Sequence, residues 1–292
     1  MTFSIDLIAD VQQIFQYAFM QHAYEGGTLV AIVAGVVGYF VVLRSSSFAA
    51  HALSHIGFAG AAGAAVFGQP PVFGLLLFTT VSGSSIAILS PRAKQRDMII
   101  GIVLAFMLGI GLLFLSLYKG SNGELAYSIL FGEILAISSF NATITLIASV
   151  IILASVAIVY RPLLFASLDE DVAEAKGLPI FLLGIIFMLL VAVATSIAVQ
   201  VVGVLLIFSL MVTPAAIARQ LSKTPQRTII ISVGIALSVT WLGLFVAFFT
   251  NYPVSFFITG IGFALYLIVR FAREILKSRR PSPVITQVIQ PI

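Results

Sequence analysis

Cysteine is absent from this 292-residue chain, which excludes disulfides, thiolate-held metals and iron–sulfur clusters. Charge is scarce as well: only 9% of residues are Asp, Glu, Lys or Arg, against about 25% in a soluble domain. With 60% hydrophobic residues, no polar skin could cover the folded chain, and lipid must be the solvent for most of it. No Gly-Lys pair occurs anywhere, so there is no phosphate-binding loop of the G-x-x-x-x-G-K-[ST] type to bind ATP. The stretch Met1 to Phe19 lacks a basic start and carries Asp6, Asp10, Gln12, Gln13 and Gln16. It reads as an interfacial segment rather than a signal peptide.

What is present is a series of long apolar runs: 27–43, 49–67, 71–89, 98–118, 141–160, 228–250 and 254–271. The run 180–217 carries no charge, and as one straight helix it would reach about 57 Å, nearly twice a hydrocarbon core. It is expected to fold back near Gln200. The net charge of +4 does not point to nucleic acid, because the basic residues cluster in short loops between spans. Arg92, Lys94 and Arg96 share one loop, Arg161 and Lys176 a second, and Arg219, Lys223 and Arg227 a third. Arg270, Arg273, Lys277, Arg279 and Arg280 gather near the end. The positive-inside rule places all of these in the cytoplasm. Parity then requires two crossings between loops 90–97 and 161–179, which segments 98–118 and 141–160 supply. The apolar piece 125–139 is therefore re-entrant, and Arg44 lies inside.

These readings predict an all-α fold, a polytopic transmembrane helical bundle of about eight to nine spans plus a re-entrant segment. Residues 1–26 form an N-terminal interfacial segment, 27–275 the membrane domain with a cytoplasmic loop at 161–179, and 276–292 a disordered tail. Small residues at Gly57, Gly60 and Gly63 in the second span, and at Gly101, Ala105 and Gly109 in another, predict close helix contacts.

Polar groups inside apolar runs carry the functional signal. His51 and His55 stand four apart, on one face of a helix otherwise rich in Ala and Gly. If that helix starts at Arg44, His55 lies about 16 Å along it, near the midplane. Neutral imidazole is the commonest metal ligand, so the pair is the first candidate metal site. Glu133 is the one acidic residue within an apolar run, and a cation held by the histidines would balance it. Gln200 and Asn141 are weaker candidates, as amides that glue helices together, and His22 reads as a solvated interfacial residue. The loop 168–179 reads LDEDVAEAKGLP. Asp169, Glu170 and Asp171 suit the start of a short helix, Lys176 and Gly177 its end, and Pro179 its stop. Its apolar side, Val172, Ala173 and Ala175, is expected to enter a groove on a soluble partner, with Asp169, Glu174 and Gly177 shaping it.

Several motifs together resemble one family. Val41-Val42-Leu43-Arg44, Phe48, Ala52-Leu53-Ser54-His55 and Gly60 look like the permease subunits of ATP-binding-cassette importers for zinc, manganese and iron, of the ZnuB, MntB and TroC kind. So do Leu130-Phe131-Gly132, Glu174-Ala175 with Gly177, Val202-Gly203-Val204-Leu205-Leu206, and Thr213-Pro214-Ala215-Ala216 with Ala218. The resemblance implies a fold similar to the cobalamin-importer permeases in the bacterial inner membrane. It also implies a homodimer with the pathway on the two-fold axis, two cytoplasmic ATP-binding subunits and an extracytoplasmic metal-binding protein. No permanently bound cofactor is implied, only a transported divalent metal. Relatives usually carry aspartate where His51 stands, both positions being ligands. Imidazole in place of carboxylate favours zinc over manganese, with manganese or iron still open as cargo.

Two rivals are weaker. An intramembrane zinc peptidase would show H-E-x-x-H, whereas Ala52 and Leu53 follow His51. A proton-coupled secondary metal transporter would show internal repeats and several intramembrane acids.

Overall fold

The structure is a computed structural model, and it describes residues 14–89, 93–120, 122–132, 134, 139–250 and 252–278. Among these there are eleven helices and no strand. They are α1 (Ala18–Leu43), α2 (Ser47–Val66), α3 (Pro71–Leu89), α4 (Ala93–Leu117), α5 (Asn122–Phe131), α6 (Ser139–Leu168), α7 (Glu170–Ala175), α8 (Ile180–Val202), α9 (Val204–Leu221), α10 (Pro225–Phe248) and α11 (Val254–Ser278). Eight are long and apolar enough to cross a membrane. The 20 residues of α2 would also reach about 30 Å, but its two histidines lower its hydropathy and it is not among the eight. The expected bundle of eight to nine spans is therefore present.

The first span starts earlier than expected, at Ala18 rather than 27. Gln21, His22, Glu25 and the Gly26-Gly27 pair look like a boundary in sequence. In the fold Gly27 is instead the site where α1 closes on Thr240 and Leu244 of α10. His22 lies within this helix, half-exposed, its Nδ1 3.5 Å from Glu25 Oε2. The expected tail lies outside the described residues from 279 onward.

The chain reverses at Ser45, a non-glycine residue at φ 52°, where Ser46 N–H bonds the Val41 carbonyl at 2.8 Å. Thereafter α2 and α3 approach so closely that Gly60 and Gly74 present each other with backbone, leaving no room for a Cβ. Gly63 admits the Phe114 ring of α4, and Gly111 of α4 rests on Ala59. The small-residue pattern of α2 thus does what it promised. That of α4 does not: Gly101 and Gly109 face open space within this chain, and the contact is made by Gly111 instead.

The long run 180–217 breaks at Gly203, three residues past the expected Gln200. Contacts along the two halves show the reversal. On α8, Gly83 of α3 meets Met188 and Ala192, and Thr79 bonds Ser196. On α9, Gly38 of α1 meets the Met211 backbone, and Arg219 Nη1 donates to the Val42 carbonyl at 2.9 Å. Thus α8 runs against α3, whereas α9 runs parallel to α1. Of the segment 125–139, read as re-entrant, the structure describes α5, whose 10 residues reach only about 15 Å, too short to cross; residues 133 and 135–138 lie outside the described residues. The end of α5 at Gly132 abuts the break at Gly203, each glycine facing the other's backbone. Both have positive φ, 74° and 83°.

Gly203, at φ 83° and ψ 164°, occupies a region essentially closed to other residues. Gly203→Ala is expected to destabilise the protein by about 2 kcal/mol or more, from strain plus collision with Gly132. Gly109→Ala, which meets nothing, is expected to be neutral or slightly stabilising. Thermal unfolding of the two detergent-solubilised variants checks this, and equal midpoints would refute it.

Candidate metal pathway and coupling loop

From Ser47 to Ala64 the residues of α2 are buried, with four exceptions: Ser47, Phe48, His51 and His55. These recur along one face of the helix, so the exceptions form a stripe rather than a scatter. The two imidazoles lie against each other, ring centroids 4.6 Å apart at 76°. A second ring, Phe208 of α9, stands 5.0 Å from His51 at 69°. His51 is therefore held between His55 and Phe208. Ser54 Oγ donates to the His51 carbonyl at 2.7 Å, taking up a local backbone acceptor and leaving the rings free of it. His51 Nδ1 is buried and has no hydrogen-bond partner, an orphaned donor or acceptor in the middle of the stripe.

Phe208 belongs to a parallel stripe on α9. Leu205 is 49% exposed, and Phe208, Ser209, Val212, Thr213 and Ala216 are half-buried. Ser209 Oγ and Thr213 Oγ1 lie 3.5 Å apart. The two stripes meet at the His51–Phe208 contact and together form one open face of the single chain. Sequence reasoning found the histidines and missed this α9 face. The available signal was the recurrence of Leu205, Ser209, Thr213 and Ala216 at helical spacing in a run whose charge-free character hid its polar members.

The other candidates are distributed differently. Glu133 lies outside the described residues. Among the described residues no group of three His, Cys, Asp or Glu could hold a metal, so the histidine pair stands without a described third ligand of those types. Gln200 lies three residues before the break at Gly203, and its Oε1 is buried without a partner. Asn141 sits in the first turn of α6, away from the pair in sequence and element.

The loop 168–179 contains the expected short helix, α7. Asp169 caps it, Oδ1 accepting from Val172 N–H at 3.0 Å, and Gly177 at φ 80° ends it. One expectation is corrected. Ala173 does not face outward but is fully buried against Ala166 and Leu183. A single apolar side cannot serve both partner and protein, and the loop's own packing on α6 and α8 has claimed Ala173. The outward surface consists of Val172, 43% exposed, with Glu174, Ala175 and Gly177, also exposed. Lys176 lies over the Phe165 ring at 5.2 Å, a cation–π contact that pins the end of the loop.

A sequence model of the ABC 3 transport family matches residues 16–273. The chain belongs to that family. It is a multi-pass permease of the metal-type ABC importers in the bacterial inner membrane, which removes the secondary-transporter alternative. The permease is 31% identical over 242 residues to the manganese transport system membrane protein MntC of Listeria monocytogenes, covering 82% of this chain and 86% of that protein. It is 30% identical over 249 residues to the manganese import system permease protein ScaB of Streptococcus gordonii, covering 82% and 86%. Among solved structures, PsaBC from Streptococcus pneumoniae in complex with Fab superimposes with a TM-score of 0.82 at 28% identity, over 94% of this chain and 100% of that one. An inward-facing transporter described as of the metal-chelate ABC type shares the fold, with a TM-score of 0.72 at 16% identity over 93% and 92%.

Proposed function

We propose that two copies of this permease carry a divalent metal ion inward between their α2 and α9 faces, with His51 and His55 as ligands. The observation that carries this reading is the histidine stripe. On a helix buried almost throughout, both imidazoles point to the one side the chain leaves open, where a second copy would close the pathway. Glu133, next in sequence to Gly132, supplies a carboxylate along the route. Two cytoplasmic ATPase subunits supply the energy, each taking α7 into a groove, and an extracytoplasmic binding protein delivers the ion. In uptake assays on the assembled importer, His55→Ala is expected to lower transport at least about 100-fold, beyond the cost of losing an outer-shell partner. Glu133→Gln is expected to lower it more modestly. Normal uptake by His55→Ala would refute the ligand pair.

The metal follows from ligand chemistry. Two imidazoles suit zinc, whereas manganese prefers oxygen-rich sites. The names of the relatives favour manganese instead, so competition uptake decides between two readings. The expected outcome is zinc preference in the native permease and a shift towards manganese in His51→Asp. Manganese preference without any shift would assign the cargo from the relatives and reject the role given to His51.

Docking of the ATPase is expected to depend on the exposed Val172. Val172→Arg would place a charge in the groove without touching the loop's internal packing, and is expected to release the ATPase in a pull-down. Ala173→Arg would disrupt the loop itself and so cannot test docking. Full ATPase recovery with Val172→Arg would move the docking site elsewhere, the loop 219–227 being next.

A further inference from the structure

A second concave feature lies between α1, α6 and α10, a groove of about 1220 Å³. This exceeds the roughly 300–1,000 Å³ usual for small-molecule pockets and suits a long chain rather than an ion. Its walls include Tyr24, Leu29, Leu146, Trp241, Leu242 and Phe245. Trp241 Nε1 donates to Thr28 Oγ1 at 2.9 Å, and Tyr24 O–H donates to the Trp241 carbonyl at 3.3 Å. The polar tips of both aromatics are thereby satisfied by protein, and their ring surfaces remain for apolar contact.

Helix arithmetic fixes the depth. Glu25 stands about 28 Å along α1 from cytoplasmic Arg44, and Trp241 about 21 Å along α10 from Arg227. In a hydrocarbon core of about 30 Å, the groove lies in the outer leaflet, with its rim at headgroup height. That rim carries Gln21 and Glu25. Gln21 Nε2 donates to the Phe15 carbonyl at 2.7 Å, tying the preceding segment over the upper end. Glu25 is 68% exposed, with His22 beside it. The flanking residues Leu146, Trp241 and Leu242 are 49%, 48% and 52% exposed, so the groove opens to the bilayer.

We propose that this groove binds one outer-leaflet phospholipid with a primary-ammonium headgroup, its acyl chains along Trp241 and its ammonium on Glu25. An apolar recess at this depth is filled by hydrocarbon unless protein fills it, and a carboxylate at the rim selects a cationic amine over a neutral polyol. The site is independent of the metal pathway.

Trp241 is the only tryptophan, which makes it a direct reporter. The full-length permease would be reconstituted in vesicles of phosphatidylethanolamine and phosphatidylglycerol, with bromine on the acyl chains of one lipid at a time. Brominated phosphatidylethanolamine is expected to quench Trp241 at least about threefold more strongly than the glycerol lipid at equal mole fraction, as one charge-assisted headgroup contact would give. Ala142→Phe, which fills the groove, is expected to reduce quenching to the level of the glycerol lipid. Glu25→Gln, which leaves packing untouched, is expected to keep quenching but abolish the preference. Equal quenching by both lipids in the native chain would mean annular contact only and would overturn the proposal. So would a Trp241 shielded from both lipids, which would indicate a protein occupant, and so would a preference retained in Glu25→Gln.

Discussion

Inside hydrocarbon a backbone amide or carbonyl has no water to turn to, and every helix break must therefore find protein. Among the described residues this permease breaks its backbone at Gly132 and at Gly203 and lays the two breaks against each other. Local bonds complete the arrangement: Gly132 N–H to the Ser128 carbonyl, Gly203 N–H to the Val199 carbonyl, and Ser255 Oγ to the Phe131 carbonyl. From this junction α9 returns beside α1, and its direction brings Phe208 onto His51. The geometry of the histidine face thus depends on two residues without side chains that lie far from His51 and His55 in sequence.

The same economy of side chains explains how two histidines are kept in a membrane helix. Neighbours can approach α2 closely because Gly57, Gly60, Gly63 and the intervening alanines offer little bulk. Dispersion contacts then accumulate on all sides but one. The remaining side carries the polar residues. Lipid would be a poor neighbour for that face, and a second copy of the chain or a hydrated pathway would be a good one.

Much of this was legible in the sequence because two strong signals, hydropathy and the positive-inside distribution, act on whole segments. Parity alone marked 125–139 as a piece that does not cross, and its described part, α5, is too short to do so. The histidine pair was legible because four-residue spacing puts side chains on one face whatever surrounds them. Other features were hidden. The start of α1 was masked by Gln21, Glu25 and Gly26-Gly27, which mimic a boundary although Gly27 serves packing. The orientation of Ala173 was hidden because a six-residue helix has no periodicity long enough to reveal its inner side. The α4 glycines illustrate the opposite error: their spacing permits contact without stating with whom, and in this chain Gly101 and Gly109 meet nothing.

The modest hydropathy of α2 has a consequence for biogenesis. Eight other helices satisfy the length and apolarity needed to cross by themselves, and each can leave the translocon for lipid as it is made. The histidine helix has no such drive. It is bounded by turns of only a few residues after α1 and before α3, and its contacts with α3 and α4 are those that exclude bulk. A helix of this kind would be expected to enter together with α3, the two leaving the exit channel as a hairpin. The two histidines would thus enter the bilayer already sheltered by the glycine seam that holds them in the finished bundle.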